Sequence, residues 1–354
     1  VNKRPPRNGE KVEKVQNTLL VDGNALFKMG FFGAKSMYNH KAEHIGGLYQ
    51  FLTTLRKLLV ENLYHRVYVF WDGKYSGKLR YNLYNQYKSG RGKDYINGTQ
   101  PIDESELIQK DMISQYLNCL FIRQLQDEFV ESDDFIGYYC TNKSPNETIT
   151  ICSTDRDMYQ LISDDVKIYF CDLKVYVDNT NYSSYFSYKP QNGALVKTII
   201  GDNSDSIKGV KGIKEGRLFE FFPEFNERVL SLDDIITKAA TLQAKRIENK
   251  QPPLKVLDNL INGITDGVQG DKLYEINSAL VDLRNPLMTE KAINDLDELM
   301  NATFRPNTDG LKNVLAQMKI DGLEHEIGST RYPDYLIPFK QLIERELKQE
   351  NQII

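Results

Sequence analysis

The chain has 354 residues, 40% of them hydrophobic and 27% charged, with a formal net charge of −4. That mix suits a soluble globular protein of one large domain or two ordinary ones, and no apolar run reaches the length of a membrane span or forms a signal region at the start. The mild negative charge excludes a uniformly basic nucleic-acid binder, and the four cysteines, in apolar segments without C-x-x-C spacing, read as reduced thiols in a cytoplasmic setting.

In chain order, residues 1–17 are polar, contain Pro5 and Pro6, and read as a mobile tail. Three short β-prone runs then each end in an acid: "TLLVDG" at Asp22, "VYVFWDG" at Asp72, and "TITICSTDRD" at Asp155 and Asp157. Between them lie segments with helical spacing, such as those beginning at Gly46 and Asp103. Strands alternating with helices predict a parallel sheet, whose ligand crevice lies at the carboxyl ends of the strands. "VESDDFIGYY" opens another helix, with Asp133 and Asp134 in its first turn and Glu131 just before it. From about residue 188 the pattern is mostly helical, which predicts a core over 18–187 and a helical domain over 188–354.

Each acid taken singly is explained as a helix cap or dipole partner. Together with Asp202 and Asp205 of "IIGDNSDSIKGVKGI" they place nine carboxylates on one edge, where they repel one another or hold protons unless cations intervene. All-oxygen ligands favour hard ions such as magnesium or manganese, and a site rich in carboxylates suggests a pair of them, the arrangement suited to phosphodiester hydrolysis.

Directly after Asp72 the run "GKYSGKLRYNLYNQYKSGRGK" carries Lys74, Lys78, Arg80, Lys88, Arg91 and Lys93 without an acid, interleaved with Tyr75, Tyr81, Tyr84 and Tyr87. It reads either as a solvated helix face with tyrosines turned inward or as a surface that tracks phosphates and stacks unpaired bases. Its place beside the acids favours the second. "HKAEH", His40 to His44, has the spacing of a metal-binding helix, but no third ligand goes with it and a chance match is favoured.

With these motifs in this order, the chain from about Leu19 to Phe222 resembles the 5' nuclease superfamily: flap endonucleases, the 5' exonuclease domain of bacterial DNA polymerase I, and the bacteriophage ribonuclease H enzymes, the last being most like it in length and helical character. "LLVDG" and "VFWDGKYSGKLR" resemble the family's first two acids and the basic run that follows. "YNQYKSGR" resembles its Y-K-x-x-R arch segment, "VESDD" its E-A-D-D, "STDRD" its S-T-D-G-D, and "IIGDNSDSIKGVKGI" its G-D-x-x-D-N-I-x-G-V-x-G-I signature. The resemblance implies an α/β, parallel-sheet PIN-like nuclease core with a helical arch at about 74–105. A mostly helical domain carrying a helix-hairpin-helix type motif at 202–222 follows.

Carried over by position, Asp72, Glu131 and Asp133 surround a first magnesium or manganese ion, with Asp22 nearby. Asp155, Asp157, Asp202 and Asp205 serve a second, and Asp134 fits either. Lys88 and Arg91 hold the scissile phosphate. Lys74, Lys78, Arg80, Lys93, Lys208, Lys211 and Lys214 contact DNA, and Ser206, Ile207, Val210 and Ile213 match a potassium site in the hairpin. Arg156, where the family has a small residue, and Lys214, where it has a glycine, depart from the pattern.

The resemblance implies a 5'-3' exonuclease and flap endonuclease acting as a monomer on DNA flaps, junctions and RNA–DNA hybrids, with a single-stranded-DNA-binding protein as a candidate partner and no membrane. Two other classes compete: a PIN-like ribonuclease and a non-catalytic DNA-junction binder.

Overall fold

The structure, a computed structural model, describes residues 16–92, 97–99, 101–265, 272–303, 306, 310–323 and 332–350. The tail expected at 1–17 lies outside these but for Gln16 and Asn17, which begin the first strand.

Six strands make the central sheet: β1 (Gln16–Asp22), β2 (Arg66–Trp71), β3 (Arg123–Gln126), β4 (Glu147–Ser153), β5 (Val166–Phe170) and β6 (Val175–Val177), in the order β3-β2-β1-β4-β5-β6. The first five pair in parallel and β6 closes one edge antiparallel. Leu19, Leu20 and Val21 of β1 are fully buried, as expected for a parallel strand covered on both faces. Alternation sends Leu19 and Val21 into one core, under the helices α1 (Gly23–Gly33), α2 (Gly46–Glu61) and α4 (Glu104–Cys119). Leu20 enters the other core with Phe135 and Tyr139 of α5 (Ser132–Asn142). The chain runs outward from β1 to β3, then returns to place β4 on the other side of β1. That reversal opens a crevice at the carboxyl ends of the strands.

A third core lies under the helices α6 (Gly193–Ile200), α7 (Glu215–Phe221), α8 (Leu232–Glu248), α9 (Lys255–Ile261) and α10 (Lys272–Val281). Between α6 and α7 runs a tight hairpin of β7 (Gly201–Asp202) and β8 (Ile207–Lys208). Glycine is required here: a Cβ on Gly209 would lie 2.1 Å from the carbonyl carbon of Ile200, and Gly201 has φ 74.

The helices beyond α10 join the other two cores. Ala292 and Leu296 of α11 (Glu290–Asn301) join the face beneath α5. Val314 and Met318 of α12 (Gly310–Ile320) and Phe339 and Leu342 of α13 (Ile337–Glu350) join the face beneath α1 and α2. Buried Glu346 on α13 meets Arg123 at 2.5 Å and Arg66 at 3.5 Å, fastening that helix to β2 and β3. The helical half expected as one unit from residue 188 is therefore divided between packing partners. Among the described residues no helix is long and apolar enough to cross a membrane.

Candidate active site

The strand ends deliver their acids to one place. Asp22 closes β1 and caps α1, accepting from the Ala25 N–H at 3.0 Å; the Ser132 and Ser153 hydroxyls donate to it at 3.1 and 2.9 Å. Asp72 follows β2 and accepts the Ser132 N–H at 2.9 Å, the first N–H of α5. Asp155 follows β4 and accepts the Asp157 N–H at 2.7 Å. With Asp133 in the first turn of α5, these side chains form the floor of a cavity of about 1200 Å³. Lys28 and Phe32 of α1, Lys74, Lys88 and Arg91 of the basic segment, and Lys197 of α6 line its walls.

Crowding of like charge shows in the protonation of these acids. Burial, then the neighbouring Asp72, pushes Asp22 up to about 7. Burial and the carboxylates of Asp155, Asp22 and Asp72 lift Asp133 well above the usual range. Burial and Asp155 raise Asp157 to about 6 against the pull of Lys197.

The remaining acids are compensated by cationic side chains. Arg80 is 4% exposed, donates to Asp134 at 2.6 and 2.8 Å and to Glu131 at 2.8 Å, and places its Nε on the Leu280 carbonyl. Lys88 Nζ meets Glu131 at 2.5 Å, and Tyr87 donates to the same carboxylate at 3.1 Å. Although burial works against charge on Glu131, Lys88 and Arg80 hold it down at about 2. Arg91 reaches Asp205 at 3.3 Å. Lys197 binds Asp157 and, at 2.6 Å, Asp202, whose other oxygen is held by the Ser204 N–H and hydroxyl. Burial opposes charge on Asp202 as well, yet Lys197 and Ser204 bring it to about 2. Among the described residues no three His, Cys, Asp or Glu side chains already stand as a closed metal cage. The ammonium and guanidinium groups hold the outer acids apart from the central four.

Two expectations need correction. Arg80, expected on DNA, is inside the protein, because it is the countercharge of two buried acids. Asp134, expected at the metals, is fully buried, spends both oxygens on Arg80 and also accepts the Leu287 N–H at 3.0 Å. The tyrosines of the basic run largely follow the inward reading: Tyr84 and Tyr87 are buried beside Ile207 and Leu280, and Tyr75 stacks on Phe129. The described part of the segment 74–105 holds the short helix α3 (Lys78–Leu83), a 3-10 turn at Ser89–Arg91 and the start of α4. Lys93 lies outside the described residues.

Lys74 is exposed and Lys78 half-buried; Lys208, Lys211 and Lys214 are exposed around the hairpin. Ser206 has φ 59 and accepts the Gly90 N–H, while Ile207, Val210 and Ile213 are buried. Arg156 points away from the acids, paired with Asp172 at 2.6 Å and lying over Phe170. His44 spends its ring nitrogens on Gln109 and the Ala34 carbonyl, so "HKAEH" serves packing. Lys197, Ser132 and Ser153 escape a sequence reading. The available signal for Lys197 is a lone cation in the mostly apolar "ALVKTII", five residues before Asp202.

Comparison with known proteins agrees with this geometry. Residues 17–187 match the model of the family described as 5'-3' exonuclease, N-terminal resolvase-like domain. The match spans just under half of the chain, which over this stretch is similar to that family. A 5'-3' exonuclease of Mycoplasma genitalium is 26% identical over 304 residues, covering 80% of this chain and 98% of its own length. The thermostable DNA polymerase I of Thermus thermophilus is 27% identical over 320 residues, covering 89% of this chain. The chain spans only 34% of that polymerase's length.

Among solved structures, a T5 5'-exonuclease with bound zinc ions superposes with a TM-score of 0.55 at 19% identity, over 87% of this chain and 100% of that one. The catalytic core of Rad2 with DNA substrate reaches 0.50 at 15% identity, over 95% of each. At these identities they establish the shared fold.

The raised acids give this part of the chain a pH signature. A carboxyl whose pKa is raised by folding stabilises the native state below its unfolded value, and that stabilisation is lost as pH rises through the folded value. In metal-free buffer the contribution of Asp22 is present below about pH 4 and lost as pH rises toward 7. Asp133→Asn removes a charge from the crowd. The metal-free variant is expected to melt higher than the parent at pH 8 and to lose that advantage at pH 4, read by calorimetry; a lower melting point at pH 8 contradicts the crowding.

Proposed function

We propose that the chain is a divalent-metal-dependent 5'-3' exonuclease and flap endonuclease, hydrolysing phosphodiesters of DNA and of RNA paired to DNA in replication or repair. The observation that carries this reading is the convergence of Asp22, Asp72, Asp133 and Asp155 on the floor of a cavity whose wall presents Lys88 and Arg91. Oxygen-only donors with surplus negative charge fit magnesium or manganese, and such ions, when bound, activate water and stabilise a leaving oxygen.

The chain's own groups do the rest. Asp22, fixed by Ala25, Ser132 and Ser153, and Asp72, fixed by the first N–H of α5, are the oriented carboxylates that would hold such ions. Lys88 and Arg91 neutralise charge on the phosphate oxygens as the bond to the leaving oxygen lengthens. Arg80 keeps Glu131 ionised inside the fold. The exposed lysines around the hairpin suit the phosphates of a duplex, and the carbonyls near Ser206, Ile207, Val210 and Ile213 are the place for a potassium ion. On this reading the protein works as a monomer at 5' flaps and strand junctions, with a single-stranded-DNA-binding protein as a partner. The primer-removing activity akin to ribonuclease H rests on sequence resemblance.

The test is a panel of 5'-labelled substrates, comprising flapped DNA, RNA-primed duplex and single-stranded RNA, with magnesium or with chelator. Wild type is expected to cut the first two only with metal, and Lys88→Ala to cut them on the order of 10²-fold more slowly. Intact flapped and primed duplexes under magnesium and manganese would sink the reading. Cleavage of single-stranded RNA alone would point to a PIN-like ribonuclease.

A further inference from the structure

Two acids expected to serve a second cation, Asp157 and Asp202, already share a cation. The Lys197 ammonium lies between them, bonded to an oxygen of each. Asp202 is held from behind by two donors of Ser204, which leaves its Oδ2 aimed at the lysine. Asp157 belongs to the 3-10 turn capped by Asp155, so its position follows from the end of β4. Lys197 comes from the last turn of α6, immediately before the hairpin, and its stem is half-buried in the cavity wall. The other acids assigned to that cation line the same pocket: Asp205, which also meets Arg91, and Asp155, which crowds Asp157 as well as Asp22 and Asp133.

We infer that the Lys197 ammonium stands at the second cation's position, so that a second divalent ion enters only by displacing it. The inference rests on the metal-dependent reading above and deepens it: the first ion binds at the central four acids, and the second site is filled only at higher ion concentration. An ordinary structural ion pair would be indifferent to whether one or two ions bind. Here the two ligands and the lysine are the same three groups, so lysine and ion compete for one position. A displaced Lys197 remains inside the cavity, where the phosphate of a bound strand is the anion available to it.

The experiment is calorimetric titration of the metal-stripped full chain with manganese, comparing wild type, Lys197→Met and, as a control for net charge, Lys245→Met on the exposed face of α8. Wild type is expected to show one tighter and one weaker ion. Lys197→Met is expected to tighten the weaker one about tenfold or more, and Lys245→Met to leave both unchanged. A second measurement uses wild type alone: acylation of Lys197 by an amine reagent, followed by mass spectrometry, is expected to rise as manganese passes through the second binding step. Two equal sites in wild type, an unchanged or weaker second ion in Lys197→Met, or acylation indifferent to manganese would overturn the inference. If wild type binds no divalent ion at all, the metal-dependent reading falls with it. If ions bind and the lysine variant changes nothing, this inference alone falls.

Discussion

Asp155→Ala is expected to lower single-turnover cleavage of a 5'-labelled flapped duplex, at saturating magnesium, by on the order of 10²–10³-fold. Three carboxyls, those of Asp22, Asp133 and Asp157, register the charge of Asp155 directly, which places it at the centre of the acidic floor. The loss belongs to chemistry and not to folding, because two changes in stability oppose one another. Removing the carboxylate forfeits the cap on the Asp157 N–H, worth about 1 kcal/mol, and relieves repulsion among its neighbours. Asp155→Asn, which keeps a capping oxygen, separates these terms: it should be as inactive as the alanine variant and should melt no lower than wild type in metal-free buffer at pH 8. Cleavage by either variant within twofold of wild type would remove Asp155 from the site.

The second large effect concerns folding. Arg80→Ala should cost roughly 3–5 kcal/mol in urea unfolding, because it leaves Glu131 and Asp134 buried without their countercharge. A surface cation that merely touches phosphate behaves differently, changing stability by about 0.5 kcal/mol or less while weakening DNA binding at low salt. The two roles are thus separated by one denaturation curve. A near-neutral result would return Arg80 to the DNA-binding surface.

This arginine marks where sequence legibility ends. The strand-end acids could be read because each closes a short apolar run, and the parallel sheet they imply brings such ends together. Six cations in one acid-free run look alike in a sequence, yet Arg80 is a core residue and Arg91 is half-exposed. Burial distinguishes them, and burial depends on what the rest of the chain brings. Leu280, whose carbonyl takes the Arg80 Nε, is 200 residues away. The same holds for Tyr84 and Tyr87, whose apolar partners are Ile207, Leu280 and Val281. Periodicity recognises α11 and α13 as helices but carries no address for the core they join. Lys197 went unseen because a lone lysine in an apolar helix has an ordinary explanation, whereas its two carboxylate partners meet only in three dimensions.

The turn at Lys88 has a mechanical consequence. Lys88 sits at φ 51, its N–H bonds the Asp205 carbonyl at 2.8 Å, and two residues on Gly90 donates to Ser206. The segment facing the phosphate and the hairpin facing the duplex are therefore stapled by one backbone–backbone bond and one from backbone to the Ser206 hydroxyl, with a single short span between them. On the proposed reading the protein measures its cut as a caliper does, from a fixed jaw. The nucleotide at which the strand parts is then set by a main-chain distance, independent of base identity.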